Sequence, residues 1–276
     1  MTSGQQLYSD PRTAAGYAFA RPAVHPRIIA RIGTDLQLTN PVARALDIGC
    51  GAGRSTAALE PLARTVVGID PWSAMLAHRR DVAPHATFAV STAERLPFAS
   101  SSFDLITAAG SINYTDLDMS FPEVARTLTS SGTLVIYDFS AGRRFAERPH
   151  LERWYAEFNS RYPEAPGYHI DVARLSYESW GLALKGYHPF EVRVPMTADA
   201  YLRYVMSETR VGLAIANGAN ESEILTWCRD TLDDVFGAHQ HDVAFDAYVA
   251  YLGKMRRPFA VRRDDSGTDR RPRGTR

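Results

Sequence analysis

The stretch ALDIGCGAGRST, residues 45–56, leaves this chain the least freedom. An apolar run of Ala45 and Leu46, echoed further on by Val66, Val67 and Ile69, is closed by Asp47. Gly49, Gly51 and Gly53 then follow at alternate positions, and Ser55 to Ala63 is helix-forming. A strand that runs into a glycine loop and then a helix brings main chain close to a ligand. Glycine is needed there because a Cβ would obstruct the approach or forbid a positive φ.

Dehydrogenases and phosphate loops also use glycine-rich turns, so the spacing has to discriminate. Here it is G-x-G-x-G rather than the dinucleotide G-x-G-x-x-G, and the Lys-Ser/Thr pair of a phosphate loop is missing. Asp47, two residues before Gly49, would repel a pyrophosphate but suits a ligand with an ammonium and a sulfonium group. Asp70 closes the next apolar run, TVVGID, about 20 residues past the glycines, where an acidic residue can accept hydrogen bonds from ribose hydroxyls. Glycine loop, upstream acid and second-strand acid together describe a site for S-adenosylmethionine. A plain strand-to-helix turn with incidental acids is the other reading.

With these residues the chain resembles the class I S-adenosylmethionine-dependent methyltransferases, in the branch that includes ubiquinone/menaquinone-biosynthesis and many natural-product enzymes of secondary metabolism. The resemblance is strong from Ala45 to about Ser140 and looser in the flanks. It implies an α/β fold: a Rossmann-like seven-stranded, mostly parallel sheet with one antiparallel strand, helices on both faces, and a helical lid between strands five and six. It implies S-adenosyl-L-methionine as cofactor, with Asp47, Gly49 and Gly51 by its methionine part, Asp70 on the ribose, and Trp72 and Met75 near the adenosine. Tyr17-x-x-x-Arg21-Pro22 resembles a segment of many relatives in which tyrosine and arginine approach the methionine end. A surface helix with an ordinary arginine remains the alternative there. In STAERLPF, Ala93 would present its backbone to the adenine edge with Glu94 beside it. Thr92 stands where relatives carry an aspartate, so a bond to the adenine amine would lack charge assistance. Cys50, Pro71, Gly110 and Ser111 complete the expected cofactor contacts.

Composition restricts the partners. The chain has 276 residues, 45% of them hydrophobic, enough for one substantial core. Formal net charge is zero, so no global field draws it to nucleic acid or membrane. Two cysteines, Cys50 and Cys228, fit a reducing compartment rather than a disulfide framework. No run of about 18 apolar residues and no basic-then-apolar leader is present, so a cytoplasmic protein is expected. Cys50 reads as a small packing residue, since no base adjoins it.

Along the chain, residues 1–253 read as one methyltransferase domain, with a helical cap over residues 1–40. Val24, Ile28, Ile29 and Ile32 give that cap helical spacing. Phe103 to Ala109 is a fourth strand, apolar enough for a sheet covered on both faces. Asn113 and Tyr114 follow its carboxyl end, where ligands sit in such sheets, and are candidate acceptor contacts. Leu117 to Leu128 reads as helix, Thr133 to Phe139 and Phe190 to Val194 as strands, Glu221 to Phe236 as a helix capped by Asn220, and Phe245 to Leu252 as the last strand. Residues 142–189 are rich in aromatics, among them Trp154, Tyr168 and Trp180, and are expected to form the lid over an apolar or aromatic small-molecule acceptor; the core of a small cap is the other reading. Residues 254–276 carry nine basic against three acidic residues and read as a solvated, disordered tail rather than a nucleic-acid or lipid contact.

Methyl transfer by in-line displacement asks mainly for near-attack geometry and exclusion of water, so no catalytic residue is assigned. If the acceptor must lose a proton, His169, His188, Tyr8 and His25 are candidate bases, His169 being the best placed and expected at the acceptor. His239 and His241 lack the further ligands a metal needs, and no metal is expected. The alternatives are a fold member that binds the cofactor without methylating and, against the neutral charge, an RNA or protein methyltransferase. Oligomeric state is not legible.

Overall fold

The computed structural model describes residues 7–164 and 170–255. Its frame is a sheet of strands β1 (Val42–Ile48), β2 (Ala63–Asp70), β3 (Thr87–Val90), β4 (Phe103–Ala109), β5 (Leu128–Phe139), β6 (Arg144–Phe145), β7 (Leu182–Met196) and β8 (His241–Lys254). The order is β3-β2-β1-β4-β5-β8-β6, and β7 also pairs with β8. β1 to β5 are mutually parallel, whereas β8 runs antiparallel to β5 and to β7. This is the expected Rossmann-like sheet, extended by the two-residue β6.

Helices cover both faces: α1 (Pro11–Phe19), α2 (Val24–Asp35), α3 (Arg54–Leu59), α4 (Arg79–Val82), α5 (Leu117–Thr127), α6 (His150–Arg161), α7 (Ala198–Met206), α8 (Thr209–Ala216) and α9 (Glu221–Phe236). One core packs α2, α3 and α6 to α9 on the sheet; the other packs α5 and residues 172–182 on the opposite face. Burial on both sides explains why β1, β2 and β4 read as apolar runs rather than alternations. The spacing of Val24, Ile28, Ile29 and Ile32 is the buried stripe of α2. Asn220 caps α9 by accepting the Ser222 N–H.

Two expectations shift in extent. The sixth strand, expected from Phe190, begins at Leu182, and β5, expected from Thr133, begins at Leu128, with an irregular register against β4. The expected lid is corrected more deeply. In the described part of 142–189, α6 turns its rings inward: Trp154 stacks on Phe158 and on Trp227 of α9 at centroid distances of 5.2 and 5.6 Å, and its indole N–H donates to the Thr231 hydroxyl. Those rings bury one another on the flank of the sheet.

Candidate active site

A cavity of about 490 Å³ opens at the carboxyl ends of β1, β2, β4 and β5. Its floor is the glycine loop. Gly49 and Gly51 have φ of +66° and +54°, and a Cβ on Gly49 would stand 2.4 Å from the Ser111 Cβ, so the loop and the β4 end approach as only glycine permits. The Ser111 hydroxyl seals the approach by donating to the Ile48 carbonyl at 2.6 Å.

Asp70, at the end of β2, is oriented by main chain. One carboxylate oxygen accepts the Gly51 N–H and the other the Trp72 N–H, both at 2.9 Å. Burial pushes its carboxyl above the ordinary range against the opposing pull of those two bonds. Each oxygen keeps a lone pair for a ligand hydroxyl.

Asp47 has a different post. It is fully buried, accepts the Ser55 and Thr56 hydroxyls on one oxygen at 2.5 and 2.7 Å, and the Thr107 hydroxyl on the other at 2.8 Å. Burial still raises its pKa, with the three hydroxyls pulling the other way. The carboxylate expected beside the ligand's ammonium is thus enclosed by donors from α3 and β4, and it fastens the start of α3 to the sheet. It does not line the cavity.

Of the residues expected at the cofactor, Tyr17, Arg21, Gly49, Cys50, Gly51, Asp70, Pro71, Trp72, Met75, Thr92, Ala93, Glu94, Gly110 and Ser111 all line this cavity; Asp47 is the exception. Glu94 also accepts the Asp116 N–H at 2.9 Å. Burial holds the Cys50 thiol well above its usual pKa, which suits packing and not a thiolate nucleophile. Of those expected at the acceptor, Tyr114 lines the cavity. Asn113, its neighbour in the turn Ile112–Tyr114, faces away with its side-chain oxygen buried. Trp154 lies in the core described above, and Trp180 packs on Phe121 and donates to Asp118, so neither reaches the cavity. His169 and Tyr168 lie outside the described residues. His241 bonds the Phe236 carbonyl, and among the described residues no group of three or more His, Cys, Asp or Glu side chains could hold a metal ion.

The roof comes from the N-terminal cap. The Tyr8 ring stands edge-on to Tyr17 and Tyr114, and its hydroxyl lies 3.4 Å from that of Tyr114. The Arg21 guanidinium lies 4.1 Å over the Tyr17 ring, with Tyr204 of α7 on its other flank, and donates to the Ser207 carbonyl. His25 lines the cavity, with Nδ1 2.9 Å from the Tyr137 hydroxyl and its ring edge-on to Tyr137 and Phe139. Burial first, then the Arg54 and Arg21 charges, push its pKa down to about 3. Arg54 donates to the carbonyls of Ala18 and Pro22, which clasps the cap to the loop helix. Sequence reasoning missed Arg54, Tyr204 and Asp138. Arg54 directly follows the third glycine and Asp138 closes β5, so position could have found both; nothing in the sequence ties Tyr204 to residues 8–25.

A family model described as a methyltransferase domain matches residues 46–136, the span that builds this floor. That span, about a third of the chain, is similar to a methyltransferase domain. An uncharacterised methyltransferase of Mycobacterium tuberculosis (strain ATCC 25618 / H37Rv) is 33% identical over 118 residues, covering 43% of this chain and 46% of the relative. A demethylmenaquinone methyltransferase of Beutenbergia cavernae is 33% identical over 115 residues, 41% of this chain and 48% of that one. The match thus spans about half the length of these curated relatives. A solved candidate type II methyltransferase from Anaeromyxobacter dehalogenans covers 85% of this chain and 97% of its own, with a TM-score of 0.65 and 20% identity, a likeness of fold. No helix among the described residues is long and apolar enough to cross a membrane.

Proposed function

We propose that the chain transfers a methyl group from S-adenosylmethionine to a small-molecule acceptor bound in the same cavity under the N-terminal cap. The observation that carries this is the pairing of Asp70, its two oxygens aimed by the Gly51 and Trp72 N–H groups, with a glycine floor that a Cβ would fill. The residues fit the cofactor: Asp70 would accept the ribose hydroxyls, Met75 and Ala93 offer apolar walls to the adenine, and main chain at Gly49 to Gly51 leaves room for the methionine portion. When bound, the cofactor supplies an electrophilic methyl group on a sulfonium sulfur.

The chain's own task is then to orient the acceptor and keep water out. Tyr8, Tyr17, Tyr114, Phe139 and Tyr204 give the cap side aromatic walls, which favours an apolar or aromatic acceptor over a polymer. A formal net charge of zero supports the same preference against nucleic acid. Calorimetric titration with S-adenosylmethionine and S-adenosylhomocysteine tests the cofactor half, both being expected to bind; absence of binding overturns it. Incubation with methyl-labelled cofactor and a metabolite extract tests the acceptor half, with label expected in a small-molecule fraction. Label found in protein or RNA would favour the other substrate classes.

A further inference from the structure

Tyr137 lies on β5 behind the cavity with no exposed surface, and His25 Nδ1, at 2.9 Å, is the only hydrogen-bond partner of its hydroxyl among the described residues. A buried hydroxyl that donates to nothing is costly. If Nδ1 carried the proton and donated to the phenol oxygen, the phenol hydrogen would have no acceptor. The arrangement that satisfies both groups has Tyr137 donating to Nδ1. The imidazole proton then sits on Nε2, a nitrogen with no hydrogen-bond partner among the described residues, on a ring that lines the cavity.

From this proton placement we infer that His25 is a hydrogen-bond donor to the acceptor, not a base, and that the acceptor is an organic acid recognised through its carboxylate. The inference rests on the proposed methyl transfer for the word acceptor alone; the tautomer stands without it. The surroundings point the same way. Arg21 and Arg54 are the cations nearest the ring, one from the cap and one from α3, and together with burial they hold the imidazole neutral, its pKa pushed down to about 3. A neutral imidazole with its proton on Nε2 and two guanidiniums nearby make a donor-rich end of the cavity, which an anionic oxygen completes. Of the carboxylates in the lining, Asp70 and Glu94 are placed above, and Asp138 accepts the Phe139 N–H, lies against Gly110, 2.9 Å from where a Cβ would stand, and acts through its charge on the Tyr137 phenol. The other titratable side chains at this end are the Tyr8, Tyr17 and Tyr204 phenols, with the buried Glu208, paired to Arg210 at 2.8 Å, acting on Arg21 and Tyr204 from behind. Burial raises the pKa of Tyr8 and Tyr204, so both stay protonated at neutral pH.

Two measurements test this. In protein labelled with ¹⁵N-histidine, long-range ¹⁵N–¹H correlations report the tautomer of each ring, and loss of one set of signals in His25→Gln assigns it. The expected wild-type result is a single Nε2–H form that becomes a tautomer mixture in Tyr137→Phe. An Nδ1–H form, or a mixture already present in wild type, overturns the inference. The second measurement is calorimetry on protein saturated with S-adenosylhomocysteine, using benzoate, benzamide and benzylamine as probes. Benzoate is expected to bind about tenfold tighter than benzylamine, and His25→Phe to remove about that tenfold, a difference worth about 1.4 kcal/mol, while leaving benzylamine unchanged. Equal or tighter binding of benzylamine, no binding of benzoate, or no effect of His25→Phe overturns the carboxylate assignment. Failure to bind S-adenosylhomocysteine would instead sink the methyl-transfer reading, with the tautomer result still interpretable.

Discussion

Two aromatic-rich segments of this chain do opposite jobs. The cap contributes Tyr8, Tyr17 and His25, and all three line the cavity. The later stretch contributes Trp154, Tyr155, Phe158, Tyr177 and Trp180, and none of these reaches it. The difference lies in what surrounds each ring. Trp154 and Phe158 fall on one face of α6, opposite Trp227 of α9, so rings find rings and close a core. The cap rings touch other rings too, Tyr8 on Tyr17 and Tyr114 and His25 on Tyr137 and Phe139, but only edge-on and around a void that they line. Aromatic density alone therefore does not mark a pocket; what the rings face decides it.

The largest expected effect breaks this contrast from the core side. Trp154→Ala removes a stacked ring only 5% exposed and should lower stability by about 3–5 kcal/mol. Chemical denaturation measures it, and cofactor affinity below the melting transition should be unchanged. A stable variant with selectively lost turnover would return Trp154 to the acceptor site.

The next largest effect probes the cap through pH. The folded state holds His25 with a pKa lowered from 6.5 to about 3, so between those values it binds fewer protons than the unfolded chain. Its contribution to stability is complete above pH 6.5 and is lost as pH falls toward 3, at a rate of about 1.4 kcal/mol for each pH unit between the two values. Other carboxylates titrate in this window, so the reading is a difference: His25→Phe should show a shallower acid loss of stability than wild type. Parallel curves for the two proteins would mean that the imidazole is solvated.

The same contrast explains how far the sequence could be read. The sheet order and the cavity floor are local or periodic in origin: apolar runs for strands buried on both faces, alternate glycines where main chain must approach, an acid at the end of β2. These were legible from Asp70, Gly49 and Gly51. Asp47 misled because a carboxylate beside a glycine loop looks the same in sequence whether it faces the ligand or, as here, the hydroxyls of Ser55, Thr56 and Thr107. The cap side was not legible because its partners are distant in the chain. Tyr204 flanks Arg21, and Tyr137 fixes His25, pairings 183 and 112 residues apart that no spacing rule reaches.

Asp70→Ala sharpens the floor side of the comparison. Losing a charged acceptor should weaken S-adenosylmethionine by roughly 1.5–3 kcal/mol. Because Asp70 also accepts the Gly51 and Trp72 N–H groups, Asp70→Asn, which keeps one acceptor oxygen, should fall between wild type and the alanine variant. Calorimetry on the folded variants checks the order, and unchanged affinity in Asp70→Ala would remove the ribose assignment.

The smallest expected effect concerns how cap and floor are joined. Arg54 is the first residue of α3, directly after the glycine loop, and its two donations to the Ala18 and Pro22 carbonyls span from floor to roof. Of the cap's other polar ties, Arg12 to Glu221 and the Met206 carbonyl and Arg21 to the Ser207 carbonyl run to the segment from α7 to α9, His25 runs to Tyr137 on β5, and Tyr8 to Tyr114 after β4. Arg54→Met keeps the length of the stem and removes the donors. It should loosen the cap over the loop by roughly 1–2 kcal/mol while the core that holds Trp154 is untouched. The free energy of global unfolding should then fall by less than the local opening of the cap, because α2 stays anchored by Val24, Ile28 and Ile32. Amide hydrogen exchange distinguishes the two levels. The expected result is faster exchange, by about tenfold for each 1.4 kcal/mol, confined to residues 11–22, together with faster dissociation of S-adenosylhomocysteine. Uniformly faster exchange across the chain would make Arg54 a core residue, and unchanged exchange in the cap would show that its other ties hold the roof in place without Arg54.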